Sequence, residues 1–211
     1  MEIQKDAIPE KETGRLEAFS DGVFAIAITL LILELKVPAL VSADISAPSL
    51  GKALLQQWPS YFSLVTSFFT ILVMWLHHHA IFSHVRKCDA WVHFANGCLL
   101  LVVTFVPYPT SVLAAYLQTP AAKAAAIFYT GTLFLISVSF NLVLRAAFRR
   151  RTLLPSTTES FVARSCRDYM FGPLFYTAAL VAASVDVRLC LALCTALWIF
   201  WAATAMRSSH P

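Results

Sequence analysis

Residues 15–35 read RLEAFSDGVFAIAITLLILEL, and this stretch decides the fold class. No charged residue lies between Asp21 and Glu34. A membrane-spanning helix needs about 20 mostly apolar residues. The run is continuous and does not alternate with a period of two, so it predicts a helix rather than a barrel strand. The segment is therefore a candidate transmembrane helix that carries one carboxylate near its start.

Five further stretches of the chain satisfy the same criterion. The six predicted spans cover approximately residues 16–35, 60–83, 90–114, 122–147, 168–185 and 187–206. Hydrophobic residues are 58% of the chain and charged residues 13%, against roughly half and a quarter in a soluble domain. This composition excludes a disordered chain, a secreted disulfide scaffold and an ordinary cytosolic enzyme. We expect an all-α integral membrane protein in a lipid bilayer, with residues 1–14 as an N-terminal segment and residues 15–207 as one transmembrane domain.

The distribution of Lys and Arg predicts the orientation of these spans. With six spans, twelve of the sixteen basic residues fall on the side that holds both termini. Basic residues are enriched on the cytoplasmic side of membrane proteins, so both termini are expected to be cytoplasmic. The same asymmetry accounts for the net charge of +4, and no nucleic-acid partner is expected.

Polar side chains inside the spans are candidates for function, because they are costly in a membrane. Asp21 lies six residues after Arg15, or roughly 9 Å along the helix. The run His77–His79 precedes Arg86 by seven to nine residues in an antiparallel span, which gives a similar depth. Asn96 and Asn141 in spans three and four fall within about one helical turn of that depth.

These groups predict one buried, hydrogen-bonded cluster near the inner leaflet. In it, Asp21 and Ser20 share hydrogen bonds with the indole of Trp75 and with one residue of His77–His79. An unpaired carboxylate at this depth would cost several kcal/mol. The residues alone leave three roles open: packing of helices, holding or gating a pore, and proton relay.

The same histidines do not predict a metal centre. Adjacent side chains of a helix point about 100° apart, so His77, His78 and His79 do not converge on one ion. His77 and His84 share a face but lie about two turns apart. We expect no bound metal, no cofactor and no catalytic residues, so the chain is not expected to be an enzyme.

Helical projection gives the first span two unlike faces. One face is a largely aliphatic stripe of Phe19, Gly22, Ile26, Thr29, Leu30 and Leu33. The opposite face holds Glu17, Asp21, Phe24 and Ile28. The pattern alone does not decide whether the stripe contacts lipid, another helix or a pore.

Two motifs resemble those of a known family. Arg15-x-x-x-Phe19-Ser20-Asp21 resembles the RxxxFSD signature of the transmembrane protein 175 family, which comprises lysosomal and bacterial potassium channels. Trp75 with His77 and its neighbours resembles the Trp/His element in the second helix of that family. Six spans with both termini inside also match, so the resemblance covers nearly the whole chain.

The resemblance implies a function and an assembly. A chain with one six-helix unit is similar to the prokaryotic members, which are homotetramers in the bacterial plasma membrane. Four copies of the first helix would line a pore for K⁺. The constriction would map to Ile26, a second aliphatic layer to Leu30 and Leu33, and a layer linked with potassium preference to Thr29.

The family's signature residues are implied to pack the first helix against the second and third. They are Arg15, Phe19, Ser20 and Asp21, with Trp75, His77, His78 and Asn96 as partners. Of the three histidines, His77 is favoured as the partner of Asp21.

The mode of conduction is expected to be passive, through a pore that needs no carbonyl-lined filter. No TVGYG-like loop occurs, because Tyr129-Thr130-Gly131-Thr132 lies inside the fourth span. A narrow apolar ring gates by dewetting. The alternative is a proton channel or a proton-coupled transporter that uses Asp21 and the His77–His79 cluster.

Overall fold

The architecture is helical throughout the part of the chain that can be described. The structure, a computed structural model, describes residues 13–40, 46–149 and 152–208, so most of the predicted N-terminal segment lies outside the described residues. The helices are α1 (Gly14–Leu30), α2 (Ala47–Gln56), α3 (Trp58–Phe82), α4 (Ala90–Phe105), α5 (Pro107–Tyr116), α6 (Ala122–Ala147), α7 (Glu159–Val185) and α8 (Val187–Ser208). A 3-10 turn, Leu31–Glu34, continues α1. Over these residues the only β-type pairing is the isolated bridge between Val85 and Leu153. The all-α prediction is confirmed.

The ends of the helices follow from proline and capping residues. α4 and α5 together correspond to the span predicted at 90–114, and they separate at Val106 because Pro107 has no backbone N–H. α7 begins at Glu159, well before the predicted start at residue 168. The Thr158 side chain accepts a hydrogen bond from the N–H of Phe161 and caps this earlier start.

Five segments are long and apolar enough to cross a membrane: α1 with its 3-10 turn, α3, α4 with α5, α6, and α8. α7 is not among them. Its first part carries Glu159, Arg164, Arg167 and Asp168. The protein is thus multi-pass. The sixth span at 168–185 and the orientation of the termini stay predictions.

Packing places α6 at the centre of the bundle and α1 at its edge. α6 packs chiefly on α7 and α4, whereas α1 packs on α3 and α4. Of the most apolar stretch of each helix, 56% is buried in α6 and only 22% in α1 with its 3-10 turn. Phe24 and Leu31 are the fully buried anchors of the α1 segment in the core. Much of α1 is therefore left uncovered within one subunit.

Candidate functional site

The aliphatic stripe of α1 is exposed in the isolated subunit. Ile26 is 59% exposed and Leu33 63%. Leu30, Thr29 and Gly22 are also exposed. Because the side chains on the other side of α1 are the buried ones, this stripe is a surface that the subunit itself does not cover.

The hydroxyl of Thr29 is oriented by its own helix. Thr29 Oγ1 donates to the carbonyl of Ile26 at 2.9 Å. A hydroxyl that donates its one hydrogen keeps two acceptor lone pairs. On an exposed face, those lone pairs are free to approach a cation.

The acidic side of α1 is fastened to α3. The indole Nε1 of Trp75 donates to Asp21 Oδ1 at 2.8 Å, which is the pair that the sequence analysis expects. Hydrogen bonds to an ionised group are stronger than those between neutral groups. Asp21 is half-buried, so the bond sets the rotation of α1 about its axis.

A second set of bonds joins α1 to α4 and α3. Asn96 Nδ2 donates to Ser20 Oγ at 3.0 Å, and Ser20 Oγ donates in turn to the carbonyl of Leu16 at 2.8 Å. His78 Nε2 lies 2.9 Å from Asn96 Oδ1. An amide oxygen only accepts, so Nε2 of His78 carries the hydrogen. We call Ser20, Asp21, Trp75, His78 and Asn96 the inner network.

His77 does not belong to the inner network, which corrects the expectation that it pairs with Asp21. The hydroxyl of Tyr169 lies 2.6 Å from His77 Nδ1, and His77 Nε2 lies 2.9 Å from the carbonyl oxygen of Trp201. The carbonyl only accepts, so Nε2 donates to it and Nδ1 accepts from Tyr169. On a helix, residue 78 shares a face with residue 75, whereas residue 77 points to nearly the opposite side.

Asn141 joins His77 in a separate cluster rather than in the single cluster that was expected. Asn141 Nδ2 donates to the carbonyl of Tyr169 at 2.8 Å and to that of Ser137 at 2.9 Å. Pro173 lies four residues after Tyr169 and has no N–H to bond this carbonyl. Asn141 therefore replaces the missing donor. We call His77, Asn141, Tyr169 and Trp201 the outer network.

The remaining signature and histidine residues lie at the surface of the subunit. Arg15 is exposed, and Phe19 is 63% exposed. Phe19 shares the face of Ile26, seven residues on, so the expectation that it packs α1 against α3 and α4 is not met within the subunit. The exposed ring of His79 lies along Trp75, with 6.1 Å between ring centroids.

Metal-binding chemistry finds no support in residues 13–40, 46–149 and 152–208. No group of three or more His, Cys, Asp or Glu side chains there is close enough to hold an ion.

Fold and site together define a class, a multi-pass helical membrane protein. Its first helix is hydrogen-bonded to the subunit through its polar side and is exposed on its aliphatic side. The family model described as the endosomal/lysosomal potassium channel TMEM175 matches residues 15–107. A potassium channel of Chamaesiphon minutus is 44% identical over 93% of this chain and 97% of its own length. The chain belongs to the TMEM175 family.

Solved structures and animal relatives agree with this membership. The crystal structure of a lysosomal potassium-selective channel TMEM175 homolog from Chamaesiphon minutus matches with a TM-score of 0.82 and 44% identity, over 94% of this chain and 98% of that chain. The human endosomal/lysosomal proton channel TMEM175 is 32% identical over 62% of this chain, a match that spans 27% of the human protein.

Proposed function

We propose that this protein is a potassium-permeable channel that forms a homotetramer in the bacterial plasma membrane. The observation that carries the proposal is the exposed aliphatic face of α1, on a helix whose opposite face is held by the inner network. The potassium-channel names of the bacterial relatives support the choice of ion.

The inner network explains how the exposed face is held in place. Asp21 is bonded to Trp75 and Ser20 to Asn96, so two separate side-chain contacts resist rotation of α1. Something other than the subunit has to cover Ile26 and Leu33, which are each more than half exposed. Four copies around one axis would cover them with each other and leave a narrow conduit.

The chemistry of this face suits a passive pore without a bound cofactor. A ring of Ile26 side chains excludes water when closed and forces a passing ion to lose part of its hydration shell. K⁺ loses water more readily than Na⁺, so the ring favours K⁺. The lone pairs of Thr29, one turn away, replace some of the lost water because its hydrogen is already donated to the carbonyl of Ile26.

The test is a measurement of current across a bilayer that holds the purified protein under a K⁺ gradient. We expect the reversal potential to follow the gradient, and Ile26→Asn to raise the Na⁺ leak. Ile32→Asn is the matched control, because Ile32 is 55% exposed but lies off the stripe. A reversal potential insensitive to K⁺, or unchanged selectivity in Ile26→Asn, would contradict the proposal. The mass of the intact assembly in detergent tests the tetramer.

Proton transport is the second candidate, supported by the name of the human relative. The hypothesis from the sequence uses Asp21 with His77–His79. However, both ring nitrogens of His77 already form hydrogen bonds within the outer network. Proton flux into vesicles under a pH gradient separates the two candidates. Flux that is abolished by Asp21→Asn, together with absence of K⁺ current, would favour the proton pathway.

A further inference from the structure

An open groove runs along the outside of the bundle where α3 and α8 pack against each other. Trp58 and Phe62 of α3 line one wall, and on α8 the lining begins at Arg188 and ends at Ile199. The centres of water-sized molecules have about 540 Å³ of room in it, whereas one water needs roughly 10–15 Å³ by this measure. We call this space the α3–α8 groove. Its lining takes no residue from α1, so it is separate from the aliphatic stripe.

The length of the groove matches one leaflet of a membrane. Arg188 and Ile199 are eleven residues apart on α8, which is roughly 16 Å along the helix axis. The hydrocarbon core of a bilayer is about 30 Å thick, so one leaflet contributes roughly 15 Å. Both α3 and α8 are apolar enough to span a membrane. The groove is therefore long enough for one extended acyl chain.

Beyond Arg188, the lining along α8 consists of apolar or small side chains. Leu191, Ala196 and Ile199 contribute only hydrocarbon to it. The hydroxyl of Thr195, which also lines the groove, donates to the carbonyl of Leu191 at 2.9 Å. A ligand rich in polar atoms would lose hydrogen bonds to water here without replacing them. This part of the groove therefore suits a hydrocarbon chain.

The end of the groove at Arg188 has the opposite chemistry. Arg188 is exposed, and within the described parts of the chain no acidic side chain forms an ion pair with it. Asp186, the nearest acid along the chain, is not part of the lining and accepts a hydrogen bond from the N–H of Leu189 at 2.9 Å. A guanidinium group binds phosphate through two parallel N–H···O bonds. This end of the groove therefore suits an anionic phosphate.

The aromatic wall lies at the same end of the groove as Arg188. Phe69 stacks on Trp198, and His77 contacts Trp201 eight residues further along α3, so α3 and α8 run in the same direction. Both helices begin at this end, α3 at Trp58 and α8 one residue before Arg188. Trp is enriched at the interface between membrane and water, which is the depth of a lipid headgroup.

We propose that the α3–α8 groove is a binding site for a phospholipid. Its acyl chain lies along Leu191, Ala196 and Ile199, and its phosphate is held by Arg188. The charged end and the apolar length of the groove together select this class of ligand, because a free phosphate has no chain to fill the groove and a neutral lipid has no charge for Arg188.

The test is native mass spectrometry of the purified full chain in detergent, titrated with palmitoyl-oleoyl phosphatidylglycerol. One spectrum gives both the amount of bound lipid and the mass of the protein assembly. We expect Arg188→Gln to weaken binding about tenfold, because a hydrogen bond to a charged group is lost. Lys123→Gln is the matched control and should leave binding unchanged, since Lys123 is an exposed cation outside the groove.

Filling the groove tests the site of the acyl chain. Ala196→Trp places a ring in the groove and should weaken binding of the same lipid about fivefold or more, because the chain loses contacts with the wall. Ala178→Trp is the matched control, because Ala178 of α7 is also exposed but lies outside the lining. Ala192→Leu is a smaller filling change within the lining, for use if the tryptophan variant does not fold.

Two further ligands separate the contributions of phosphate and chain. Diacylglycerol with the same chains should bind about tenfold more weakly than the phospholipid to the unmodified protein, and equally to Arg188→Gln. Glycerol phosphate, which has no chains, should not compete with the phospholipid. Equal binding of the phospholipid by the unmodified protein and Arg188→Gln, or competition by glycerol phosphate, would overturn the proposal. So would loss of the assembly in both Ala196→Trp and Ala192→Leu with lipid binding retained, since a neighbouring subunit would then cover the groove.

Discussion

The inner and outer networks lie on opposite sides of one helix and are supplied by neighbouring residues. His78 reaches Asn96 in the inner network, and His77 reaches Tyr169 in the outer one. The same residue type at adjacent positions thus serves two different parts of the protein. The cause is the 100° step of the helix, which directs consecutive side chains to different neighbours.

The two networks also differ in charge and in what they hold. The inner network contains the carboxylate of Asp21 and holds a helix that is mostly uncovered. The outer network contains no carboxylate and repairs the backbone of α7, where Pro173 leaves the carbonyl of Tyr169 without its usual donor. The inner network therefore sets the orientation of α1, and the outer network stabilises the body of the subunit.

The largest expected effect is that of His77→Ala on stability. The variant removes a buried ring and leaves the hydroxyl of Tyr169 without its acceptor, for a loss of about 2–4 kcal/mol. The midpoint of thermal unfolding in detergent, followed by tryptophan fluorescence, should fall accordingly. His79→Ala is the control and should change stability by less than about 0.5 kcal/mol, because His79 is exposed. Equal effects of the two variants would contradict the conclusion that His77 is a buried, stabilising residue and that His79 is not.

Asp21→Ala tests the inner network and should destabilise the protein by about 1–3 kcal/mol, because the half-buried indole N–H of Trp75 loses its acceptor. Asp21→Asn keeps an oxygen at the same place and should have the smaller effect. The two thermal midpoints are compared under the same conditions. If alanine and asparagine proved equivalent, the hydrogen bond from Trp75 would not be what holds α1.

Asn141→Leu tests the hydrogen bond from Asn141 to the carbonyl of Tyr169 in α7. The variant should lower the free energy of unfolding by about 1–2 kcal/mol, because that carbonyl loses its donor. In a Pro173→Ala background the backbone N–H of residue 173 returns to that carbonyl, so the effect of Asn141→Leu should shrink by about half or more. The measurement is a double-mutant cycle of thermal stability. Simple additivity of the two changes would contradict the proposed compensation.

Gly172→Ala has the smallest expected effect and should raise the free energy of unfolding by about 0.5–1 kcal/mol. Alanine restricts the unfolded chain more than glycine does. Here its methyl also fills part of a cavity between α3, α6, α7 and α8, which Gly172 lines together with Phe140 and Trp198. Gly131→Ala, in the interior of α6, provides the gain from helix propensity alone. A lower thermal midpoint for Gly172→Ala would show that the walls of the cavity do not accept a methyl group.

Some contacts could be predicted from the sequence because depth in a membrane is read by counting residues. Counting residues from the basic ends of their spans places Asp21 and the run His77–His79 at a similar depth. The structure pairs Asp21 with Trp75, two residues before that run. The bounds of α6 agree with the predicted span at 122–147. The early start of α7 lies outside the span predicted at 168–185, because Glu159, Arg164 and Arg167 make its first turns too polar to count as a span.

Other contacts depend on direction as well as depth. His77 and Asn141 lie at the predicted depth, but they bond to Tyr169 and Trp201 rather than to Asp21. The role of Asn141 had one usable signal in the sequence: a proline inside an apolar span leaves a carbonyl that needs a donor from elsewhere. Which helix supplies that donor depends on packing.

Sequence by itself determined the helical membrane class, most of the spans and the two unlike faces of the first helix, because hydrophobicity and helical period are local properties of the chain. Tertiary structure alone decided which neighbour each buried polar group meets, that α1 lies at the edge of the bundle, and that a cavity remains beside Trp198. These depend on how helices are rotated and placed against each other, and that is fixed only when all of them pack together.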